Sequence, residues 1–197
     1  VVIVGASFGG LASQRELSGR KDVRVMLIDF KDYFEYTPGV LRCFVQPSFL
    51  SHLTCPLPTP RNGERLRGAM CGANDQAVVV RDAHGAERNV PYDYLVMAVG
   101  STYADPIKPA QSEQTLVERQ FTWTNAAAKL ERAKTVIIVG AGPVGVELAG
   151  EILTVYPDKR VTFVDMATTI LPGFDEAAAT YSRTWLELRG VELMGGE

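Results

Sequence analysis

A chain of 197 residues has room for one or two domains and a substantial core; 46% hydrophobic, 22% charged and a net charge of −3 are ordinary for a globular protein. The balance shows no basic surplus of the kind a nucleic-acid binder carries, so no nucleic-acid partner is expected. No apolar run approaches the roughly 18 residues of a membrane-spanning helix, since VVIV and LVMAV are strand-sized.

In chain order, Val1 to Val4 reads as a buried strand and Gly9 to Leu17 as a helix, with Leu11, Ala12 and Leu17 for packing and Gly19 as its C-terminal cap. Val23 to Ile28 is a second strand ending at Asp29, which completes a βαβ unit of about 30 residues. Tyr33 to Arg65, with Pro38, Pro47, Pro56, Pro58 and Pro60, is expected to be irregular and reads as a functional loop rather than a linker. Gln76 to Asp82 and Ala86 to Val90 form a hairpin around Ala83-His84-Gly85. Tyr92 to Val99 is another buried strand, stopped by Gly100.

Residues 101 to 120 are a polar, proline-containing crossing, and Phe121 to Ala133 is helical. A second βαβ unit follows: Val136 to Val139, a helix from Pro143 to Val155, a turn at Pro157-Asp158, and Val161 to Val164. Asp175 to Leu188 is an amphipathic helix ended by Gly190, and Val191 to Leu193 begins one more strand. Strands alternating with helices predict an α/β fold of two Rossmann-like, doubly wound parallel-sheet domains, 1–110 and 111–197, the first incomplete. The chain starts inside a strand without Met and stops at GGE, so it reads as a fragment whose targeting signals lie outside it.

Each βαβ unit carries a glycine-rich turn. Gly140-Ala141-Gly142-Pro143-Val144-Gly145 matches G-x-G-x-x-G in full. Gly140 serves the tight turn, Gly142 lets the backbone approach a diphosphate, and Gly145 lets helix and strand pack closely. Phosphate oxygens would meet the unpaired N–H groups and positive dipole end of the helix. Asp165, 20 residues after Gly145, stands where an acid accepts from ribose hydroxyls. A 2′-phosphate there would face like charge, which favours NADH over NADPH. Glu147 and Glu151 share a helix face and read either as solvated charge or as groups near the nicotinamide.

The first turn, Gly5-Ala6-Ser7-Phe8-Gly9-Gly10, has serine in the middle place, small enough for close approach and able to donate to phosphate. Asp29 is its ribose acceptor, 19 residues after Gly10, and Lys31 reads as a contact to ribose or phosphate or as a surface turn. Two diphosphate cradles imply two dinucleotides. A flavin and a nicotinamide are the natural pair, and electron transfer the natural reaction.

The blocks VVIVGASFGG, VMLIDFKDYFEYTPGVLR, YDYLVMAVGS, VIIVGAGPVGVELAGE and ILPGFDEAAATYSRTWLELRGVEL resemble the pyridine nucleotide–disulfide oxidoreductase superfamily across nearly the whole chain. KDYFEYTPGVLR resembles its apoptosis-inducing-factor-like, ferroptosis-suppressor-type branch, with type II NADH dehydrogenases next. The resemblance implies FAD on the first turn and NADH or NADPH on the second, and electron delivery to a small-molecule acceptor, a quinone in this branch. It also implies that Arg42 contacts FAD, that the backbone at Gly68 lies near its adenine, and that Leu95 to Gly100 is a flavin-side motif with Val99 in place of threonine. The family's returning flavin segment and C-terminal domain lie beyond these residues, so membrane contact would be peripheral and outside this stretch.

No side-chain acid or base is needed for hydride transfer between cofactors, so no catalytic residue is named. The superfamily's paired cysteines are absent, with only Cys43 in that stretch. A single-cysteine peroxidase or coenzyme A-disulfide reductase remains an alternative, as does a non-enzymatic NAD(P)H-sensing interaction protein. Cys43, Cys55 and Cys71 form no Cys-x-x-Cys pair and read as reduced thiols in a reducing compartment. A cytoplasmic setting is expected, with membrane or mitochondrial association open. His52 and His84 lack companions for a metal, and Trp123 and Trp185 read as packing residues.

Overall fold

The computed structural model describes residues 1–103 and 106–196. Ala104 and Asp105 of the expected crossing, and Glu197, lie outside them. In chain order the elements begin with β1 (Val2–Val4), α1 (Phe8–Leu17), β2 (Val25–Asp29) and β3 (Tyr33–Glu35). Two 3-10 stretches, Thr37–Phe44 and Pro47–Phe49, lead to one helical turn, α2 (Leu50–Leu53). Six strands follow: β4 (Thr54–Pro56), β5 (Gly63–Arg67), β6 (Ala69–Ala73), β7 (Ala77–Arg81), β8 (Glu87–Pro91) and β9 (Leu95–Met97). The remainder is α3 (Leu116–Arg132), β10 (Thr135–Val139), α4 (Pro143–Val155), β11 (Arg160–Asp165), α5 (Glu176–Glu187) and β12 (Glu192–Gly195). Contacts divide the chain into two compact units, Val1–Thr37 with Ser51–Arg119, and Pro38–Leu50 with Gln120–Glu197.

The first unit is built on a parallel sheet in the order β5-β2-β1-β9. Side chains alternate across a strand, so the run VVIV fills two cores. Ile3, Val25 and Leu27 pack on one side with Leu11 and Leu17 of α1. Val2, Val4 and Ile28 pack on the other with Val78, Val80 and Val90 of the antiparallel sheet β6-β7-β8. A strand covered on both faces carries a continuous apolar run rather than an alternating one.

Three expectations need correcting here. Tyr33 to Arg65 is not irregular throughout: β3 pairs antiparallel with β4, and β5 joins the main sheet as a parallel edge strand. Only Leu66 of GERLR packs against the core, so the strand has no apolar pattern to announce it. The expected hairpin is real but gains a third strand, β6, paired with β7 through an irregularity between Met70 and Gly72. The segment Tyr92 to Val99 is not a buried strand: β9 covers only Leu95–Met97, and Met97 and Val99 are 50% and 59% exposed. Among the described residues β9 pairs on one side only, with β1.

A buried ion cluster ties the connecting segment to β3. Arg119, with no exposed surface, grips Glu35 with Nε at 2.7 Å and Nη2 at 3.0 Å, and reaches Glu113 with Nη1 at 3.3 Å. The Tyr33 hydroxyl donates to the Glu113 carbonyl oxygen at 3.2 Å. Burial pushes the Glu35 carboxyl above the usual carboxylate range against the pull of Arg119. α3 begins at Leu116, five residues before the helix expected at Phe121. Its start is a capping box: Glu118 accepts from Thr115 N–H at 2.8 Å, and Glu118 N–H donates to Thr115 Oγ1 at 3.4 Å.

The second unit centres on the parallel sheet β10-β11-β12. Ile138, Val161 and Phe163 pack with Ala149, Ile152 and Leu153 of α4, Leu186 of α5 and Leu130 of α3. The segment Pro38–Leu50 belongs to this unit: Phe44 meets the buried Trp123 edge-to-face at 5.2 Å, and Gln120 Nε2 donates to the Pro47 carbonyl oxygen at 3.2 Å. The α/β class with parallel sheets holds in both units. Among the described residues no helix is long and apolar enough to cross a membrane.

Candidate dinucleotide-binding turns

In the second unit, β10 runs into α4 through Gly140, Ala141 and Gly142, and Gly140, Gly142 and Gly145 stand in different surroundings. Gly140 has φ +103°, a backbone conformation that side chains resist. A Cβ at Gly145 would stand 2.1 Å from the Gly140 carbonyl oxygen, so only glycine lets the helix seat on the strand. Gly142 is extended at φ −76°, and a Cβ there would meet nothing within 4 Å. No protein atom explains the absence of a side chain at Gly142. The space beside it is open.

The first turn repeats the arrangement. Gly5 has φ +99°, and a Cβ on it would lie 2.1 Å from the Ala98 carbonyl oxygen, just after β9. A Cβ at Gly10 would lie 1.7 Å from the Gly5 carbonyl oxygen, the counterpart of Gly145. Ser7 caps α1 with extended backbone and makes no side-chain capping bond. Gly9 would tolerate a Cβ at ordinary contact with Ala98, 3.7 Å away. Phe8 is half-exposed and meets Phe34 and Tyr36 edge-to-face at 5.5 and 5.7 Å.

How the helices begin separates these two turns from the rest. Of the four helices of ten or more residues among the described residues, α3 and α5 are capped by side chains; Asp175 accepts from Ala177 and Ala178 N–H, and Glu176 sits in the first turn of α5. α1 and α4 have neither a side-chain cap nor an acidic residue in the first turn. At a helix start without such partners the first amide N–H groups can meet an anion.

Each strand-end acid folds back onto its own turn, a feature that motif spacing does not show. Asp165 accepts from Ala141 N–H at 2.6 Å and from Ala167 N–H at 2.8 Å. These main-chain donors hold its carboxyl below the usual range. Asp29 accepts from Ala6 N–H at 2.6 Å, from Lys31 N–H at 2.9 Å and from Lys31 Nζ at 2.9 Å. A carboxylate offers about four acceptor directions, so both acids keep capacity for a hydroxyl.

The other expected positions are spread out. Arg42 lies in the 3-10 stretch of the second unit, where its Nε bonds both Glu151 carboxylate oxygens at 3.2 Å and its guanidinium covers Phe49 at 5.2 Å. Glu147, one turn earlier on α4, is exposed. Gly68 is packed against the protein itself, since a Cβ would lie 2.6 Å from Val80 Cγ1. Gly100 is exposed, with nothing within 4 Å of a Cβ. The sulfur proposed for single-cysteine chemistry is on Cys43, which has no exposed surface, whereas Cys55 and Cys71 are exposed. Trp123 is core, and Trp185 stacks under Arg189 at 3.6 Å.

Two parallel-sheet units, each with a glycine turn feeding an uncapped helix, define a protein class that binds dinucleotides. The chain belongs to the pyridine nucleotide-disulphide oxidoreductase family, whose profile matches residues 1–197. Among curated proteins it is 32% identical to ferroptosis suppressor protein 1 of Homo sapiens over 168 residues, 83% of this chain and 43% of that protein. It is 27% identical to apoptosis-inducing factor homolog B of Dictyostelium discoideum over 174 residues, 88% of this chain and 43% of that one. Both fall in the branch that KDYFEYTPGVLR resembles. Among solved structures, NDH2 from Plasmodium falciparum in complex with NADH superposes with a TM-score of 0.76 at 19% identity, over 98% of this chain and 47% of that one. The chain therefore spans less than half the length of the relatives it matches.

Proposed function

We propose that this chain is the cofactor-binding part of an FAD-dependent oxidoreductase that passes hydride from NADH to flavin and then electrons to a quinone. The supporting observation is the pair of glycine turns, with Gly142 beside open space and α1 and α4 starting without caps. FAD is assigned to residues 1–110 and the nicotinamide to 111–197. The amides of Ser7 to Gly10 would hold the flavin's diphosphate, and those of Gly142, Val144 and Gly145 the nicotinamide's, Pro143 having none to give. Asp29 and Asp165 would accept from ribose hydroxyls. Arg42, Gly68 and Gly100 are further flavin-side contacts on the strength of the resemblance, and Glu147 lies on the helix that starts at the nicotinamide's diphosphate.

The redox chemistry is supplied by the two cofactors, and the protein's work is to bind, orient and exclude water. Asp165 supports a preference for NADH, because an ionised acid repels a 2′-phosphate. That preference rests on Asp165 alone, and the quinone rests on the branch resemblance. Buried Cys43 offers no access to peroxide or a disulfide, which favours the quinone reading over thiol chemistry. The test is the visible spectrum of the complete gene product and its anaerobic titration with NADH and NADPH. A flavin band bleached by one equivalent of NADH is expected, followed by reoxidation on adding a quinone. A colourless protein that binds neither nucleotide overturns the assignment.

A further inference from the structure

The two strand-end acids differ in one respect that the glycine pattern does not show. Asp165 and Asp29 each accept from the first amide after their glycine and from the amide two residues on. In the second unit the residue two positions on is Ala167, and Asp165 is partly exposed. In the first unit it is Lys31, whose ammonium bonds Asp29 Oδ1 at 2.9 Å. The Asp29 and Lys31 side chains are only 5% and 11% exposed. The ammonium also sits 4.8 Å from the Phe30 ring centroid and 5.8 Å from that of Tyr33.

A carboxylate that far from water is retained in its charged form only with a cation and hydrogen bonds to match. Lys31 is the cation. The other charged or titratable groups around this strand end are Asp32 and Tyr33 beyond it, Glu35 with its Arg119 and Glu113 partners past Tyr33, and, on β5, Arg67, whose position is in register with Asp29 and whose guanidinium pairs with Asp32 at 3.7 Å. The first turn of α1 adds no acidic residue. We propose that Lys31 is a positioning residue for the first dinucleotide site: its caged ammonium holds the Asp29 carboxylate locked on the Ala6 amide. The diphosphate turn is thereby preset, and a charged acceptor is ready for a ribose hydroxyl. This rests on the reading that the first turn takes FAD. It gives Lys31 a role through Asp29 rather than as a phosphate contact.

The experiment is FAD reconstitution of the apoprotein made from the complete gene, followed by flavin fluorescence. The variants are Lys31→Met, Lys31→Arg and Asp29→Asn. Lys31→Met should weaken binding about tenfold or more. Lys31→Arg should restore the parent's affinity, and in the Asp29→Asn background Lys31→Met should cost nothing further. A Lys31→Met change that costs as much in the Asp29→Asn background as in the parent overturns the proposal, since loss of a direct phosphate contact would look like that. Unchanged binding overturns it too. If Lys31→Met does not fold, Lys31→Gln takes its place under the same criteria, and failure of both to fold makes Lys31 a folding residue and ends the proposal. A parent that binds no FAD overturns the functional reading and this inference with it, whereas a parent that binds FAD beside an unaffected variant overturns the inference alone.

Discussion

Alanine at Gly142 and alanine at Gly145 are expected to fail in opposite ways, although the two positions are three residues apart in one motif. At Gly142 the backbone is extended, and a Cβ would have no neighbour within 4 Å. Losing glycine from a helix N-cap costs a few tenths of a kcal/mol to about 1, while restricting the unfolded chain returns about 0.4–1 kcal/mol. The two nearly cancel, so Gly142→Ala should unfold within about 1 kcal/mol of the parent. The methyl would occupy the space assigned to the diphosphate, and the NADH dissociation constant should rise at least about tenfold, or 1.4 kcal/mol. At Gly145 the added carbon starts 2.1 Å from the Gly140 carbonyl oxygen, where about 3.3 Å is the close limit for such a contact. The helix must lift by about 1 Å, at an overpacking cost of about 1–3 kcal/mol, offset by roughly 1 kcal/mol of helix propensity at most. Urea denaturation of the apoprotein and NADH titration of each variant separate the two effects. A Gly142→Ala protein that binds NADH like the parent refutes the cradle, and a Gly145→Ala protein with undiminished stability refutes the close helix–strand seat.

Asp165→Asn should weaken NADH binding and narrow the gap to NADPH, read as the ratio of the two dissociation constants. Because main-chain donors depress the Asp165 carboxyl, the ionised form's contribution is complete above its ordinary pKa of about 4. It is lost only as pH falls through the lower native value, so NADH affinity should be flat from pH 5 to pH 8, and an Asp165-dependent midpoint near neutrality refutes the assignment. Arg119→Met leaves Glu35 and Glu113 buried without their cation and should cost about 3–5 kcal/mol in urea denaturation; a loss below about 1 kcal/mol would mean the cluster is not closed in solution. Iodoacetamide should label Cys55 and Cys71 and spare Cys43 in the folded protein, with NADH oxidation retained. Stoichiometric labelling of Cys43 without denaturant contradicts its burial.

Both glycine turns, the strands before them and the acids after them could be read from the chain. Each such unit closes within about 30 residues, and over that distance local geometry does the specifying: a β-branched run, a glycine at positive φ, a helix that follows at once. The same locality explains why the β7-β8 hairpin and α4 were found close to their observed bounds. Elements whose reason lies elsewhere in the chain escaped. β5 is polar, and it is a strand because β2 offers it an edge. The early start of α3 was legible in Thr115 and Glu118, had the capping box been sought.

The sequence alone therefore determined the class of fold, the two glycine turns and the family, because all three follow from short-range pattern. Tertiary structure decided what surrounds each residue of the pattern. It joined Glu35 to Arg119 across 84 positions, gathered Pro38–Leu50 with the second unit, set Gly145 against a carbonyl and left Gly142 facing open space. It also turned Asp29 and Asp165 back onto their own loops. Such contacts depend on where the chain returns after folding, and no periodicity along it encodes that path.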